Sequence, residues 1–280
     1  MNLFVSLTPS ESKRLIGKAV AEMPLVKERM KKGKIAISVG STTGLTAGEI
    51  LQTEIDVSNF ISGLTINGRQ CRAPRPKIGT IFIEDGKRVD RSMIAPDDEF
   101  EDAKKYFAKL GKDDLYIKSA NAVDMDGNAG FVIGHPEGGN VLLVSGPAAA
   151  KRVPVIVPVG LEKLVPSVIT AARAVKGQDG YDYSFGRACG FHVISDGIIV
   201  TEIEAIDILC GAKAVHVASG GIGGSEGSVL LTVEGSKEQI EKLYKILKGV
   251  KGEKPIVSRK MDCKDCAKMC NYPEGANSNK

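Results

Sequence analysis

The sequence predicts an α/β fold: a mostly parallel sheet covered on both faces by helices (residues 1–180), then a smaller α+β unit (190–259) and a short cysteine-rich tail (260–280). Two observations carry that prediction. The short apolar runs KIAISVG (34–40), DLYIKSA (114–120) and VPVIVPVG (153–160) alternate with helical segments. This is the pattern of a parallel sheet whose strands are buried on both sides. After the aperiodic stretch KGQDGYDYSFGRACG (176–190), the alternation becomes strand, helix, two strands, helix, strand. That βαββαβ order is the split, ferredoxin-like motif. A chain of 280 residues is long enough to bury most of the surface its unfolded form exposes.

Each element has a local reason. Thr8, Pro9 and Glu11 form a capped helix start, and Leu15, Ile16, Ala19, Val20 and Met23 make one apolar stripe behind it. The strand at 34–40 runs through a tight turn into the helix STTGLTAGEILQ. NFISGLTI (59–66) reads as a strand, KIGTIFIEDGKRVDR (77–91) as a hairpin turning at Asp85-Gly86, and PDDEFEDAKKYFAKLG (96–111) as a capped helix. Beyond DLYIKSA come GFVIG (130–134), a helix near 139–150, the strand at 153–160 and the helix EKLVPSVITAARAVKG (162–177). The second unit reads as the strand FHVISDGIIV, the helix EIEAIDILCG, the strands AKAVHVAS and SVLLTV, the helix SKEQIEKLYKILKG and the strand KPIVSR.

Composition removes several classes of function. A net charge of +4 is small for this length, and the basic residues are scattered, so neither nucleic acid nor a membrane surface is indicated. RNA-binding sheets of βαββαβ order stack bases on aromatic side chains, and AKAVHVAS and SVLLTV contain none. No apolar run approaches the roughly 20 residues of a membrane span, and the N-terminus lacks the charge and apolar length of a signal peptide. A cytoplasmic protein acting on a small molecule is expected, with a homo-oligomer or a redox partner as further possibilities.

Two loops carry candidate chemistry. In SVGSTTGL, Gly40 lies between a strand and a helix, where free N–H groups and the helix dipole favour an anion. Ser41, Thr42 and Thr43 would add hydroxyls; the same residues serve equally well as a plain helix cap. The second loop, SANAVDMDGNAGFVIGHPEGGNV (119–141), follows a strand end, where open parallel sheets hold their ligands. It brings Asn121, Asp124, His135 and Glu137 between glycines, with Gly138 and Gly139 as backbone that a ligand can approach. MDGN is also an ordinary turn, and the spacing fails for a calcium loop because Ala129 stands where its glycine is required. A histidine in a glycine-rich loop suits acid/base work near neutral pH, so His135, with Glu137, is the candidate acid/base pair.

The stretches VGSTTG (39–44) and SANAVDMDGNAGFVIGHPEGGN (119–140) resemble the superfamily of ribose-5-phosphate isomerase, glucosamine-6-phosphate deaminase and the CoA transferases. VPVGLEKLVPSVITAARA (157–174) is similar to its lactate-utilisation (LUD) branch. The resemblance implies a Rossmann-like sheet, a phosphorylated or acyl/CoA-type metabolite held by Ser41, Thr42 and Thr43, and Asp124 as an acid/base or sugar-binding carboxylate. The isomerases carry a lysine directly before the glycine cluster where this chain has GHPEGG, and the glutamate nucleophile of class I CoA transferases has no match.

Two segments remain. SGGIGGSEGS (219–228) reads as a hairpin loop, with a backbone that wraps a small ligand as the alternative and closure over the first unit's site as an intermediate that the sequence does not fix. In the tail, Cys263, Cys266 and Cys270 follow C-x2-C-x3-C, the last three ligand positions of a bacterial Fe–S run, with Lys260 where the first cysteine would stand. The expected cofactor is an Fe–S cluster or zinc with a fourth ligand from elsewhere; redox-active thiols and an inert tail are the alternatives. A metabolite sensor and a cluster carrier are the non-catalytic counterparts of the enzyme reading.

Overall fold

The computed structural model describes residues 1–74, 79–89 and 99–266. In chain order the first half contains β1 (Asn2–Leu7), α1 (Pro9–Glu22), α2 (Pro24–Lys31), β2 (Lys34–Ile37), α3 (Ser41–Leu51), β3 (Gly63–Ile66), β4 (Arg69–Arg72), β5 (Ile81–Glu84), β6 (Lys87–Arg88), α4 (Glu99–Ala108) and β7 (Leu115–Ile117). The second half contains β8 (Ala122–Val123), β9 (Ala129–Ile133), α5 (Gly139–Lys151), β10 (Val155–Pro158), α6 (Val168–Ala174), β11 (Gly190–Ile194), β12 (Ile198–Val200), α7 (Glu202–Cys210), β13 (Lys213–Gly220), β14 (Ser228–Glu234), α8 (Lys237–Val250) and the single turn α9 (Cys263–Cys266).

The main sheet has six strands in the order β12-β10-β7-β2-β5-β6. Its first four strands are parallel, and β5 and β6 are antiparallel to their neighbours. The alternation of side chains along β2 splits the core in two. Ile35 and Ile37 join the cluster formed with Leu15 and Ile16 of α1, Ala47 of α3 and Ile206 of α7. Ala36 faces the other cluster, with Phe107 of α4, Val144 of α5, and Phe82 and Tyr116 of the sheet. Helices therefore cover both faces, and the α/β class expected from the alternating runs is observed. Among the described residues no helix is long and apolar enough to cross a membrane.

Local signals were reliable where a single turn decides the conformation. The Thr8 hydroxyl accepts from Glu11 N–H while the Glu11 carboxylate accepts from Thr8 N–H, closing the expected capping box. The β5–β6 hairpin turns at Asp85 (φ 45°) and Gly86 (φ 77°). NFISGLTI is only half strand: a 3₁₀ turn at Val57–Asn59 precedes β3, which pairs with β4. The N-cap expected for α4 lies outside the described residues, at 96–98.

The single βαββαβ sheet expected over 190–259 is corrected by the pairing. FHVISDGIIV breaks at Ser195-Asp196-Gly197 into two strands that enter different sheets. β11 pairs with β9 beside β8, whereas β12 becomes the parallel edge of the main sheet. β13 and β14 form a hairpin whose third strand is β1 from the opposite end of the chain. Residues 254–259 form no strand. The cause is burial. The inward residues Leu7, Val229, Leu231 and Val233 are inaccessible and join Leu243 and Leu247 of α8 and Ile206 of α7 in the core shared with α1. These strands thus build on the first unit's helices, not on a separate core.

Candidate functional site

The main sheet has one topological switch point. From β2 the chain goes outward to β5 and β6, then returns to β7 on the other side of β2 and continues to β10 and β12. A crevice opens beyond the carboxyl ends of strands at such a point, and ligands of open α/β sheets bind there. In this protein the crevice is part of a cleft of about 1990 Å³. Small-ligand pockets are commonly about 300–1,000 Å³, so one small metabolite fills only part of it.

Below the crevice, Ser38 N–H donates to Ile117 O (3.0 Å) and the Ser38 hydroxyl meets the buried Tyr116 hydroxyl at 2.7 Å, tying the ends of β2 and β7 together. The chain then passes Val39 and Gly40 into α3, whose first turn has no side-chain cap. Its leading N–H groups have no intrahelical acceptor and carry the positive end of the helix dipole. Glycine is needed at position 40 for close approach: a Cβ there would lie 2.6 Å from Ser119 Oγ and 2.8 Å from Thr43 Oγ1. Gly40→Ala is expected to push the Ser119 and Thr43 hydroxyls aside with a small loss of stability. A thermal melt checks that prediction.

Of the four residues expected to hold an anion here, Gly40 and Ser41 line the cleft. Thr42 and Thr43 are fully buried. The Thr43 hydroxyl donates back to Gly40 O (3.2 Å), and the Thr42 hydroxyl has no partner. Their side chains therefore point into the packing of α3, and only their main chain belongs to the helix terminus.

Two lysines that the sequence reading missed face the crevice. Lys118 follows β7 and reaches toward Val39 O at 3.5 Å; Lys163 follows β10, in a 3₁₀ turn at Leu161–Lys163, and donates to Ala120 O at 3.0 Å. Among the described residues neither has a carboxylate within ion-pair distance. Burial, reinforced by the Lys163 cation, pulls Lys118 down to about 8. Burial and the Lys13 cation pull Lys163 down to about 8 against the opposing effect of Glu162 and Glu202. Lys13 itself is paired with Glu162 at 2.7 Å. The signal was present in the sequence: Lys118 ends an otherwise apolar buried strand, where a charge needs a reason.

Glu202, the first residue of α7, supports the same turn. Its Oε2 accepts from Leu161 N–H at 2.9 Å while Oε1 has no partner, and the side chain is fully buried. Burial raises its pKa above the ordinary carboxylate value, with the nearby Ser12 hydroxyl and the Leu161 bond opposing. A raised folded-state value makes its contribution complete below the unfolded pKa, with loss as pH climbs toward the folded one. Glu202→Gln keeps the acceptor and removes the charge. Its melting temperature relative to wild type is expected to rise between pH 4 and pH 8, as read by thermal melts across that range.

The second loop divides in the same way. Gly138 (φ 82°) and Gly139 precede and open α5, and with Asn140 and Val141 they line the cleft, so a second uncapped helix terminus faces it. Asn121 lines it too, but its Oδ1 is taken by Val132 N–H at 3.0 Å. His135 stands on the exposed rim, and its Nδ1 accepts from Glu137 N–H at 3.1 Å. Glu137 is exposed and lies outside the cleft wall, so the structure does not bring its carboxylate together with the His135 ring as an acid/base pair.

Asp124 is a correction. It is buried: Oδ1 accepts from Asp126 N–H, Asn128 N–H and Asn128 Nδ2, and Oδ2 accepts from Val168 N–H at 2.8 Å and Asn128 Nδ2. Burial opposes its ionisation, but the N–H groups of Asn128 and Val168 outweigh burial and hold its pKa below the usual carboxylate value. A carboxylate occupied in this way is a structural clamp between the 124–128 turn and the start of α6.

The rest of the cleft comes from distant parts of the chain. Arg187 lines one wall and donates to Gly134 O. Gly224, Glu226 and Gly227 of the glycine-rich loop line the cleft, and a Cβ at Gly227 would meet Pro9 and Glu162. Residues 255–258 line the cleft, and Met261 N–H donates to Arg72 O at 2.7 Å, bringing α9 to the β3–β4 hairpin. Cys263 and Cys266 lie on that turn, with Lys260 Nζ 3.3 Å from Cys263 Sγ; Cys270 lies outside the described residues. Among the described residues no three His, Cys, Asp or Glu side chains are grouped to hold a metal. Two thiols alone do not complete a site for zinc or an Fe–S cluster.

Comparison of the chain with protein-family models, with curated proteins and with solved structures finds no match.

Proposed function

We propose that the chain is an enzyme that binds a small anionic metabolite, phosphorylated or of the acyl/CoA type, in the crevice beyond β2 and β7. Acid/base chemistry on that metabolite follows from the groups around it. The observation that carries this reading is the meeting of the uncapped first turn of α3 with Lys118 and Lys163 at the switch point. A helix terminus and two cations without carboxylate partners favour an anion for the same electrostatic reason. Lysines titrating near 8 exchange protons near neutral pH, the property asked of a general acid or base.

The roles then differ from those first expected. The α3 main chain, Ser41 and Lys118 hold the anion, Lys163 is the proton-handling group, and His135 at the rim meets the distal part of a longer ligand. The likeness to the sugar-phosphate isomerase and CoA-transferase superfamily agrees with an anion at the first loop. Thermal shift with inorganic phosphate, sugar phosphates and CoA tests the reading. Saturation at about a hundredfold excess over Kd stabilises a protein by about 2.7 kcal/mol, a readily measured shift. Absence of a shift with every anion overturns it.

The C-x2-C-x3-C tail supports a separate proposal, an Fe–S or zinc site completed by a ligand from the body of the protein or a partner. Anaerobic purification with metal analysis checks it: stoichiometric iron and sulfide or zinc is expected, lost on Cys266→Ser, and metal-free protein overturns it.

A further inference from the structure

We propose that the metabolite is an anionic carbonyl compound, a phosphorylated or carboxylated aldehyde or ketone, and that the Lys163 amine forms an imine with its carbonyl carbon. This rests on the anion-binding reading above. Three features single out Lys163. It lines the cleft, so a ligand reaches it. Lys13 and Glu162 satisfy one another at 2.7 Å, leaving the Lys163 nitrogen with the neutral Ala120 carbonyl as its hydrogen-bond acceptor. The buried Glu202 accepts from Leu161 N–H and so fixes the 3₁₀ turn that carries it, which makes Glu202 a positioning residue.

The charged groups around Lys163 are Lys13 from α1, Lys118 from the end of β7, Glu162 beside it in the turn and Glu202 from α7. Burial and the Lys13 cation oppose the ammonium, and two carboxylates favour it. The result, a value near 8, leaves about a tenth of the amine as free base at pH 7 and about half at pH 8. A nucleophilic lysine must be part neutral; Lys118 shares this value, so position separates the two. Lys118, reaching toward Val39 at the entry to α3, is the better placed of the two for the anion.

The step balances without a further reagent. The nitrogen lone pair attacks the carbonyl carbon and gives a carbinolamine. Both protons of the neutral amine leave with the former carbonyl oxygen as water, and the carbon–nitrogen double bond forms. The imine nitrogen then takes one proton from solvent in the cleft and becomes the iminium, an electron sink for the adjacent carbon.

The test uses pyridoxal 5′-phosphate as a probe that carries both an aldehyde and a phosphate. The full-length protein is treated at pH 8, reduced with borohydride and mapped by mass spectrometry, with and without inorganic phosphate. The expected result is one principal adduct on Lys163, formed about tenfold or more faster than on any exposed lysine and suppressed by phosphate. Lys163→Arg, checked for native circular dichroism, is expected to lose the adduct and keep the phosphate-induced thermal shift. Labelling on Lys118, or spread over surface lysines with Lys163 unmodified, overturns the imine even when phosphate still stabilises the protein. Failure of phosphate either to stabilise or to protect overturns the anion site itself, whatever becomes of the adduct.

Discussion

Asp124→Ala is expected to destabilise the protein by about 3 kcal/mol or more and to lower activity only through loss of folded protein. Five hydrogen bonds converge on this buried carboxylate. Its removal strands the N–H groups of the half-buried Asn128 and the buried Val168. An unsatisfied buried donor costs about 1–3 kcal/mol, and bonds to a charged acceptor are the stronger kind. The pH dependence has a definite sign. Because the folded-state pKa is lowered, Asp124 contributes fully above its unfolded value of about 3.8, and the contribution fades as pH falls toward the folded one. The difference between wild type and Asp124→Ala therefore narrows on acidification below that value. Asp124→Asn, which keeps one acceptor oxygen, falls between the two. Chemical denaturation at pH 7 and pH 3 measures each point; a stable variant with abolished turnover would restore the catalytic role withdrawn above.

Lys118→Met should do the opposite to stability and more to binding. Methionine keeps the volume of the stem while removing a part-buried cation that has no carboxylate partner among the described residues, so the variant is expected to melt at or above the wild-type temperature at pH 7. Phosphate affinity is expected to fall about ten- to hundredfold, the loss of one charge-assisted contact. A gain in stability joined to a loss of ligand response is not a pattern that misfolding produces. Wild-type binding should also weaken as pH rises through about 8, where Lys118 and Lys163 lose their charge. Stability of the free protein runs the other way. A lysine whose folded-state value is lowered holds fewer protons than in the unfolded chain, so stability rises between about 8 and the unfolded value of 10.5. Melts and calorimetry at pH 6.5 and pH 9 separate the two trends.

What the sequence by itself determined was local. The capping box at Thr8 and Glu11, the buried runs that became β2, β7 and β10, the turn at Asp85-Gly86 and the helix start after Gly40 all depend on residues within a few positions of one another. Hydrogen bonds inside a turn and side-chain period are legible from such neighbours. Parts of the loop at 119–141 line the cleft, but Asp124 does not. Asp124 looked like a catalytic carboxylate until Val168, forty-four residues away, took up one of its oxygens.

Only the tertiary structure decided which strands pair and which charges meet. β13 and β14 gained β1 as their third strand, and β12 left its expected partners for the edge of the main sheet, because each found its apolar cover there. The site followed from the same choices. Lys13, Lys118 and Lys163 come from a helix and from turns after two different strands, and only the ordering of β10, β7 and β2 sets them around one crevice. Strand order depends on the total area buried by competing pairings, and a buried ammonium depends on what surrounds it in space. Neither quantity is a property of any short stretch of chain.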